Sequence, residues 1–402
     1  MNMNNMKNVA ILLTHGTDTL AWTHAFVRYA LKNNKINIAI TGSQIPLPAM
    51  PNFSDAYINI TNSVHFLTNI TPPNVFTVFN YGTEAFSDSL YKIDRWNNNA
   101  FTGDVIARME WDEVKYTGKD IKTADTPTKI DKLYLLTTGG TIVANFNAND
   151  ALSPIQTSIL KEFVKEQLKD SFHDIEEREL MVIDSSDLTY DKMKIIVNQI
   201  LKCMQENGYH ETTADLQFDK HVRIVYTDPF KTISDYQREA KGASAIIIAG
   251  YGGGNINVEE NSENSPLGLI NELITANIPV VLTSQVALGP ADFIYENARV
   301  AIKGGALSGV DLSLPEIQTR LSYLLGHKAQ IEEYANSINV PYMKVFDWLF
   351  MSGMKFRTRK SKDVYMNLKK IVPHTEDVLI NRTFNESLSQ CTEKLFFENE
   401  EK

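Results

Sequence analysis

Short apolar or β-branched runs alternate with helical stretches along most of the chain, and this alternation limits the fold more than any other feature. Val9–Leu13, Ile36–Ile40, Val75–Phe79, Leu133–Leu136, Ala245–Ile248 and Pro279–Leu282 are each short enough to be a buried strand. Between the first two, Trp22, Ala25, Phe26, Tyr29 and Ala30 fall at i, i+3, i+4, i+7 and i+8, one face of a helix. Strands alternating with helices predict an α/β fold whose mostly parallel sheet is covered on both faces. A length of 402 residues exceeds one ordinary core, so two or more domains are expected.

The segments just after the strands are as informative as the strands themselves. Val9–Leu13 runs into Thr14-His-Gly-Thr-Asp-Thr19, and Ile36–Ile40 into Thr41-Gly-Ser-Gln44. Leu133–Leu136 leads to Thr137-Thr-Gly-Gly-Thr141, and Ala245–Ile248 to Ala249-Gly-Tyr-Gly-Gly-Gly-Asn255. Glycine and small hydroxyl residues therefore collect at the carboxyl ends of strands, where open α/β sheets bind ligands. Glycine there lets backbone N–H groups approach a ligand closely. One such turn is an ordinary threonine-capped strand-to-helix junction; four together point to a site.

Hydrophobic content of 43% and charged content of 22% are those of a soluble globular protein. The net charge of −10 argues against a general nucleic-acid binder. No apolar run approaches the roughly 18–20 residues of a membrane span. Met1–Lys7 is polar and lacks the apolar region of a signal peptide, so a cytoplasmic location is expected. Cys203 and Cys391 make no disulfide framework, and the histidines show no His-x-x-x-His spacing, so no metal is expected. The polar segments Lys115–Lys129 and Glu206–Lys220 read as connections, and the alternation lapses beyond about residue 326. The basic stretch Lys355, Arg357, Arg359, Lys360 and Lys362 reads as a solvated helix face.

Threonine is a weak nucleophile that needs a nearby base and preorganised donors for its oxyanion. By chemistry alone Thr137, Thr138 and Thr141 are equal candidates, as are Ser185 and Ser186 in the next polar cluster. Thr17 and Asp18 are adjacent, and a lysine set against them would move a proton. Chemistry alone does not choose that lysine.

Thr138-Gly-Gly-Thr-Ile142 and His15-Gly-Thr-Asp-Thr19 resemble the two threonine signatures of the bacterial L-asparaginase and glutaminase family. Asp184-Ser-Ser-Asp-Leu-Thr189 resembles its substrate-binding Ser-x-Asp segment. Thr41-Gly-Ser-Gln-Ile-Pro-Leu47, with Ser54-Asp55 and Asn59, is similar to the cytoplasmic branch. Lys92 with Phe101 resembles the block carrying the catalytic lysine, and Gly250–Asn255 with Thr283-Ser-Gln285 resembles the small domain. The resemblance covers about residues 8–325. It implies a large flavodoxin-like parallel-sheet domain (1–208), a smaller Rossmann-like α/β domain (221–325) and an extension (326–402). It also implies hydrolysis of the side-chain amide of L-asparagine, or L-glutamine, without a metal or organic cofactor.

Position by position, the resemblance makes Thr141 the nucleophile that forms an acyl-enzyme. Thr17, Lys92 and Asp18 become the proton-handling group, and His15 has no proton role. Ser185 and Asp18 hold the α-carboxylate and α-amino groups, with Ser186, Ser43 and Asn255 as further substrate contacts. A homo-oligomer, dimer or tetramer, is expected on the same ground. Two departures stand out. The His-Gly-Thr-Asp-Thr and lysine blocks precede the Thr-Gly-Gly-Thr block here, the reverse of the family order, while the small domain stays last. This looks like a permutation within the large domain, with Lys115–Lys129 as the new join. The family's lid tyrosine also has no counterpart in Val143–Pro154, where Phe146 lacks a hydroxyl. Alternatives are an amidase subunit of a larger complex and an amino-acid-binding homologue with little turnover.

Overall fold

Thr41, Thr14 and Thr137 stand side by side at one edge of a parallel sheet, paired in register across three strands. A computed structural model describes residues 7–95, 97–111, 113–117, 122–123, 129–259, 262–289, 291 and 295–351. Most of the expected join at Lys115–Lys129 lies outside these residues. So do Cys391, the basic stretch after residue 354 and the extension beyond 351. The chain divides into two compact units, Met1–Leu216 and Gln217–Lys402.

The first unit runs β1 (Val9–Thr14), α1 (Leu20–Ala30), β2 (Ile38–Thr41), α2 (Ala56–Asn69), β3 (Val75–Phe79) and β4 (Glu84–Phe86). A hairpin of β5 (Tyr91–Lys92) and β6 (Phe101–Thr102) leads to β7 (Val105–Glu110) and β8 (Glu113–Tyr116). Next come β9 (Ile130–Gly139), a second hairpin of β10 (Ala144–Phe146) and β11 (Leu152–Pro154), α3 (Ile159–Gln167), β12 (Phe172–Ile183) and α4 (Tyr190–Gln205). The sheet order is β8-β7-β4-β3-β2-β1-β9-β12. The five strands from β3 to β12 are parallel, and β4, β7 and β8 extend them as an antiparallel wing.

All six residues of β1 are buried, because helices cover both faces and strands lie on both sides. Ala25, Phe26, Tyr29 and Ala30 of α1 are buried as their spacing predicts, whereas Trp22 is only half-buried. On the other face, Ile60, Val64 and Phe66 of α2 pack with Leu12, Ala39, Phe76, Leu133 and Leu135 in one apolar cluster. Outside the ladder, the Asn8 backbone N–H donates to the Asp131 carboxylate at 2.8 Å, closing β1 against β9 across 123 residues of sequence.

The second unit is a four-stranded parallel sheet in sequential order, β13 (Val222–Tyr226), β14 (Ala245–Gly250), β15 (Val280–Ser284) and β16 (Leu307–Ser308). Its helices are α5 (Ile233–Ala240), α6 (Leu267–Thr275), α7 (Glu296–Lys303), α8 (Leu314–Gly326), α9 (Lys328–Ser337) and α10 (Tyr342–Met351). Ser313 caps α8 and Pro315 sits in its first turn, as the sequence Ser-Leu-Pro-Glu dictates. Arg320 of α8 donates to the Phe350 carbonyl at 2.8 Å, so the start of the extension is tied to this unit. Among the described residues no helix is long and apolar enough to cross a membrane.

Candidate active site

The loops leaving β1 and β9 meet through two glycines. A Cβ built on Gly140 would lie 2.4 Å from the Gly16 Cα, and one on Gly16 would lie 3.1 Å from the Gly140 Cα. Only hydrogen at Gly140 allows that approach. Thr17 and Thr141 are each one residue beyond the contact, about 3.8 Å of Cα spacing along their own chains. Thr141 is half-buried and opens a short 3-10 turn, Thr141–Val143, whose Ile142 carbonyl accepts from the Leu47 N–H at 3.2 Å.

Thr17 and Lys92 arrive from distant segments and touch. The Lys92 ammonium donates to the Thr17 hydroxyl at 2.7 Å and to Asp18 Oδ1 at 2.8 Å. Thr17 is 4% exposed, while the Asp18 side chain is 59% exposed. An ion pair that wet contributes about 0–1 kcal/mol to stability, too little to explain its geometry as a fold-holding device. The arrangement suits proton transfer at a threonine hydroxyl.

Ser185 joins the same cluster. Its hydroxyl accepts from the Asp18 backbone N–H at 3.3 Å, and its carbonyl accepts from the Thr19 hydroxyl at 2.8 Å. A side chain on Gly16 would strike the Ser185 Cβ and Oγ at 2.5 Å, so three segments share one narrow space. Ser186 is exposed, and its hydroxyl and backbone N–H both donate to Asp184 Oδ1 at 2.8 Å. Ser43 is fully buried and donates to the Ile45 carbonyl at 2.9 Å, which commits its proton locally.

Thr137 and Thr138 belong to β9 rather than to the loop, and the Thr138 hydroxyl donates to the Thr14 carbonyl at 3.1 Å. Asn255 lies in the second unit. There its backbone exchanges hydrogen bonds with Tyr251 at 2.8 Å, and its buried Oδ1 finds no partner among the described residues.

The loop after β2 is stapled from below. Asp55, 2% exposed, accepts from the Gln44 and Ile45 N–H groups and from the Asn59 amide. Burial pushes its carboxyl above the usual range, and these donors oppose that push. Gln44 then donates to the Asp94 carbonyl at 3.2 Å and the Asn97 carbonyl at 3.3 Å, tying this loop to the turn beyond Lys92.

The stretch expected to hold a lid is an ordered hairpin in which Phe146 pairs with Leu152. Phe146 is 52% exposed, and the hairpin's one hydroxyl belongs to Ser153. Asn147 closes its turn by accepting from the Asn149 and Ala151 N–H groups.

His15 is buried, with Nδ1 2.7 Å from the Gly16 carbonyl and Nε2 2.9 Å from the Thr23 hydroxyl. A carbonyl only accepts, so Nδ1 carries the proton and Nε2 accepts from Thr23. Burial lowers its pKa from 6.5 to about 4, so the ring is neutral at pH 7. The folded pKa lies below the unfolded one, so the unfolded chain binds the extra proton as pH falls. Stability from this group is complete above pH 6.5 and is lost between pH 6.5 and 4, about 3 kcal/mol in all. Urea denaturation at pH 7.5 and pH 5 should show about 2 kcal/mol of this loss in the wild type. His15→Gln should lack that part of it; an identical pH dependence in both proteins would contradict the assignment.

Asn80 carries no mark in the sequence pattern of strands and helices. It sits in the left-handed region at φ 60°, followed by Tyr81 at φ 58° and Gly82 at φ 67°. The Asn-x-Gly spacing is the signal that would have marked this turn.

Residues 2–122 and 132–211 match the family model for the asparaginase N-terminal domain, and residues 221–337 match that for the glutaminase/asparaginase C-terminal domain. The chain is 23% identical over 324 residues to an L-asparaginase of Thermococcus kodakarensis, covering 80% of this chain and 71% of that protein. It is 32% identical over 117 residues to L-asparaginase 1 of Escherichia coli, covering 29% of this chain and 32% of that one. The fold is similar to the solved thermostable L-asparaginase from Thermococcus kodakarensis, with a TM-score of 0.51 and 20% identity, covering 83% of this chain and 74% of that chain.

Proposed function

The chain belongs to the asparaginase family, an amidohydrolase acting on C–N bonds, and we propose that it cleaves the side-chain amide of L-asparagine through an ester on Thr141, with L-glutamine as a second substrate. One observation carries this reading above the rest. The Lys92 ammonium is in hydrogen-bond contact with both Thr17 and Asp18, on a loop that meets the Thr141 loop at Gly16 and Gly140.

In this reading Lys92 first gives one proton to solvent; the Thr141 hydroxyl oxygen then attacks the amide carbon, and its proton passes through the Thr17 hydroxyl to the Lys92 nitrogen. The C–N bond breaks and that group returns a proton to the departing nitrogen, which leaves as ammonia. Water then opens the ester, giving aspartate and restoring the Thr141 hydroxyl. Backbone N–H groups around Thr17 face the oxyanion. The Asp18 carboxylate takes the substrate ammonium, and the Ser185 hydroxyl takes its carboxylate. Without a tyrosine in Val143–Pro154, activation of Thr141 rests on the Lys92 group alone.

The same resemblance supports a cytoplasmic homo-oligomer as part of this reading. It also supports a permuted large domain. The family match is split at residues 123–131, and β1 and β9 lie side by side in parallel, so exchanging their order along the chain leaves them neighbours.

Lys92→Ala should lower ammonia release by about 10²–10⁴-fold, the range for a positioned proton-transfer group. Lys92→Arg should fail as well, because guanidinium does not release its proton. Thermal melting should barely move in either variant, since the exposed pair contributes so little. Full activity in both would remove Lys92 from the mechanism.

A further inference from the structure

The ladder that carries Lys92 is too short to hold itself. β5 and β6 pair through two residues each, Tyr91 with Thr102 and Lys92 with Phe101. Ladders of that length have no independent stability. Yet the ammonium at the end of β5 meets two oxygens at 2.7 and 2.8 Å. Something outside the ladder sets its place.

Asn80 does so by its geometry. Its Nδ2 donates to the Phe101 carbonyl at 2.8 Å, and its Oδ1 accepts from the Phe101 N–H at 3.1 Å. One side-chain amide thus grips both backbone groups of the residue paired with Lys92. The second Nδ2 hydrogen goes to Glu84 Oε2 at 2.8 Å, while Glu84 Oε1 takes Arg108 at 3.1 Å. A flipped amide would set Oδ1 against the carboxylate and the Phe101 carbonyl, so the orientation is fixed by its partners. The neighbouring Phe79 ring packs on the Phe101 ring at 4.5 Å.

Residue type and backbone agree here. Asn80 is 6% exposed at φ 60°, a conformation asparagine tolerates better than almost any residue except glycine. Glycine would keep the backbone but has no amide, and glutamine would carry the amide at greater strain.

We propose that Asn80 is a positioning residue for the reaction: it places Lys92 against Thr17 by clamping Phe101. The proposal rests on the amidohydrolase reading for its kinetic consequence, and on geometry alone for its chemical one.

The test compares the full-length wild type with Asn80→Gly, which preserves the positive φ. Asn80→Asp keeps the acceptor for the Phe101 N–H but sets a carboxylate oxygen against Glu84 and the Phe101 carbonyl, so it opens the clamp by repulsion. Two readings are taken. Competitive acetylation at pH 8, followed by mass spectrometry, measures Lys92 reactivity relative to other lysines and needs no turnover. Steady-state ammonia release measures kcat and KM for asparagine. The expected result is a Lys92 labelling rate raised about 5-fold or more, with kcat lowered roughly 10–100-fold and KM changed less than about 3-fold. In a Lys92→Ala background, Asn80→Gly should cost little more, since the group it places is gone.

Unchanged Lys92 labelling in folded Asn80→Gly and Asn80→Asp overturns the proposal, whatever happens to kcat. Raised labelling with unchanged kcat overturns its kinetic half. A fully active Lys92→Ala enzyme overturns the amidohydrolase site instead, and the labelling comparison still reads Asn80.

Discussion

Thr141→Ala should reduce ammonia release from asparagine by about 10⁴-fold or more, with the fold intact and aspartate still bound. Loss of the proposed covalent nucleophile removes the whole two-step route, and what survives is the contribution of binding and oxyanion donors. Truncating a half-buried side chain in a short turn disturbs little packing, so the melting temperature should stay within a few degrees. The control is Thr138→Val. Its hydroxyl serves the Thr14 carbonyl inside the sheet, so that variant should lose far less activity than Thr141→Ala. The reverse ranking would move the nucleophile three residues upstream. Wild-type protein that binds aspartate by calorimetry but releases no ammonia from either amide would mark an amino-acid-binding protein instead.

Gly140→Ala is expected to be nearly as damaging by a different route. The new Cβ would meet the Gly16 Cα at 2.4 Å and the Gly16 N at 2.5 Å, and both are backbone atoms that cannot swing aside. Gly140 also holds φ 80° and ψ −171°, a region essentially reserved for glycine. Strain and overpacking together cost about 2–5 kcal/mol. Relief requires the β1 and β9 loops to part, and a displacement near 1 Å between reacting groups costs about 10²-fold in rate. Denaturant melts should show the stability loss, and ammonia release by the surviving folded fraction should fall at least that far. Native stability with native activity would mean that the two loops do not approach each other as closely as these atoms do.

The parallel part of the sheet was legible because its strands are apolar runs bounded by glycine and threonine. Val75–Phe79 agrees residue for residue with β3. Leu133–Leu136 marked only the doubly covered centre of β9, which runs Ile130–Gly139. Lys132 and Asp131 carry no apolar signal; Lys132 joins the strand by pairing with Val9 and Asp174. The antiparallel wing was silent for a related reason. Glu84–Phe86 is three residues long, and its pairing depends on the left-handed turn at Asn80–Gly82 rather than on hydrophobic pattern.

The site shows the same division. Thr17 and Asp18 could be found from a loop at a strand end, because that edge is where such residues gather, whereas Ser185 was singled out by the family resemblance. No local pattern around Lys92 selects it among the other lysines; a family resemblance singled it out, and a hydrogen bond to Thr17 sets it apart. Ser185 entered as an expected substrate contact. Its contacts with Thr19 and Asp18 need the loops to be side by side.

The pairing of β1 with β9 also shapes the birth of this protein on the ribosome. β1 is made before β9, and β2 can cover one of its edges soon afterwards. Its other edge waits for a partner about 120 residues downstream, as the Asn8–Asp131 contact measures. At about 5–20 residues per second that delay is on the order of ten seconds. Throughout it, Val9-Ala-Ile-Leu-Leu13 presents an unpaired apolar edge, the kind that neighbouring nascent chains adopt as a template. Chaperone demand during synthesis should therefore peak before residue 139 has cleared the exit tunnel, and the site comes into being only when that wait ends.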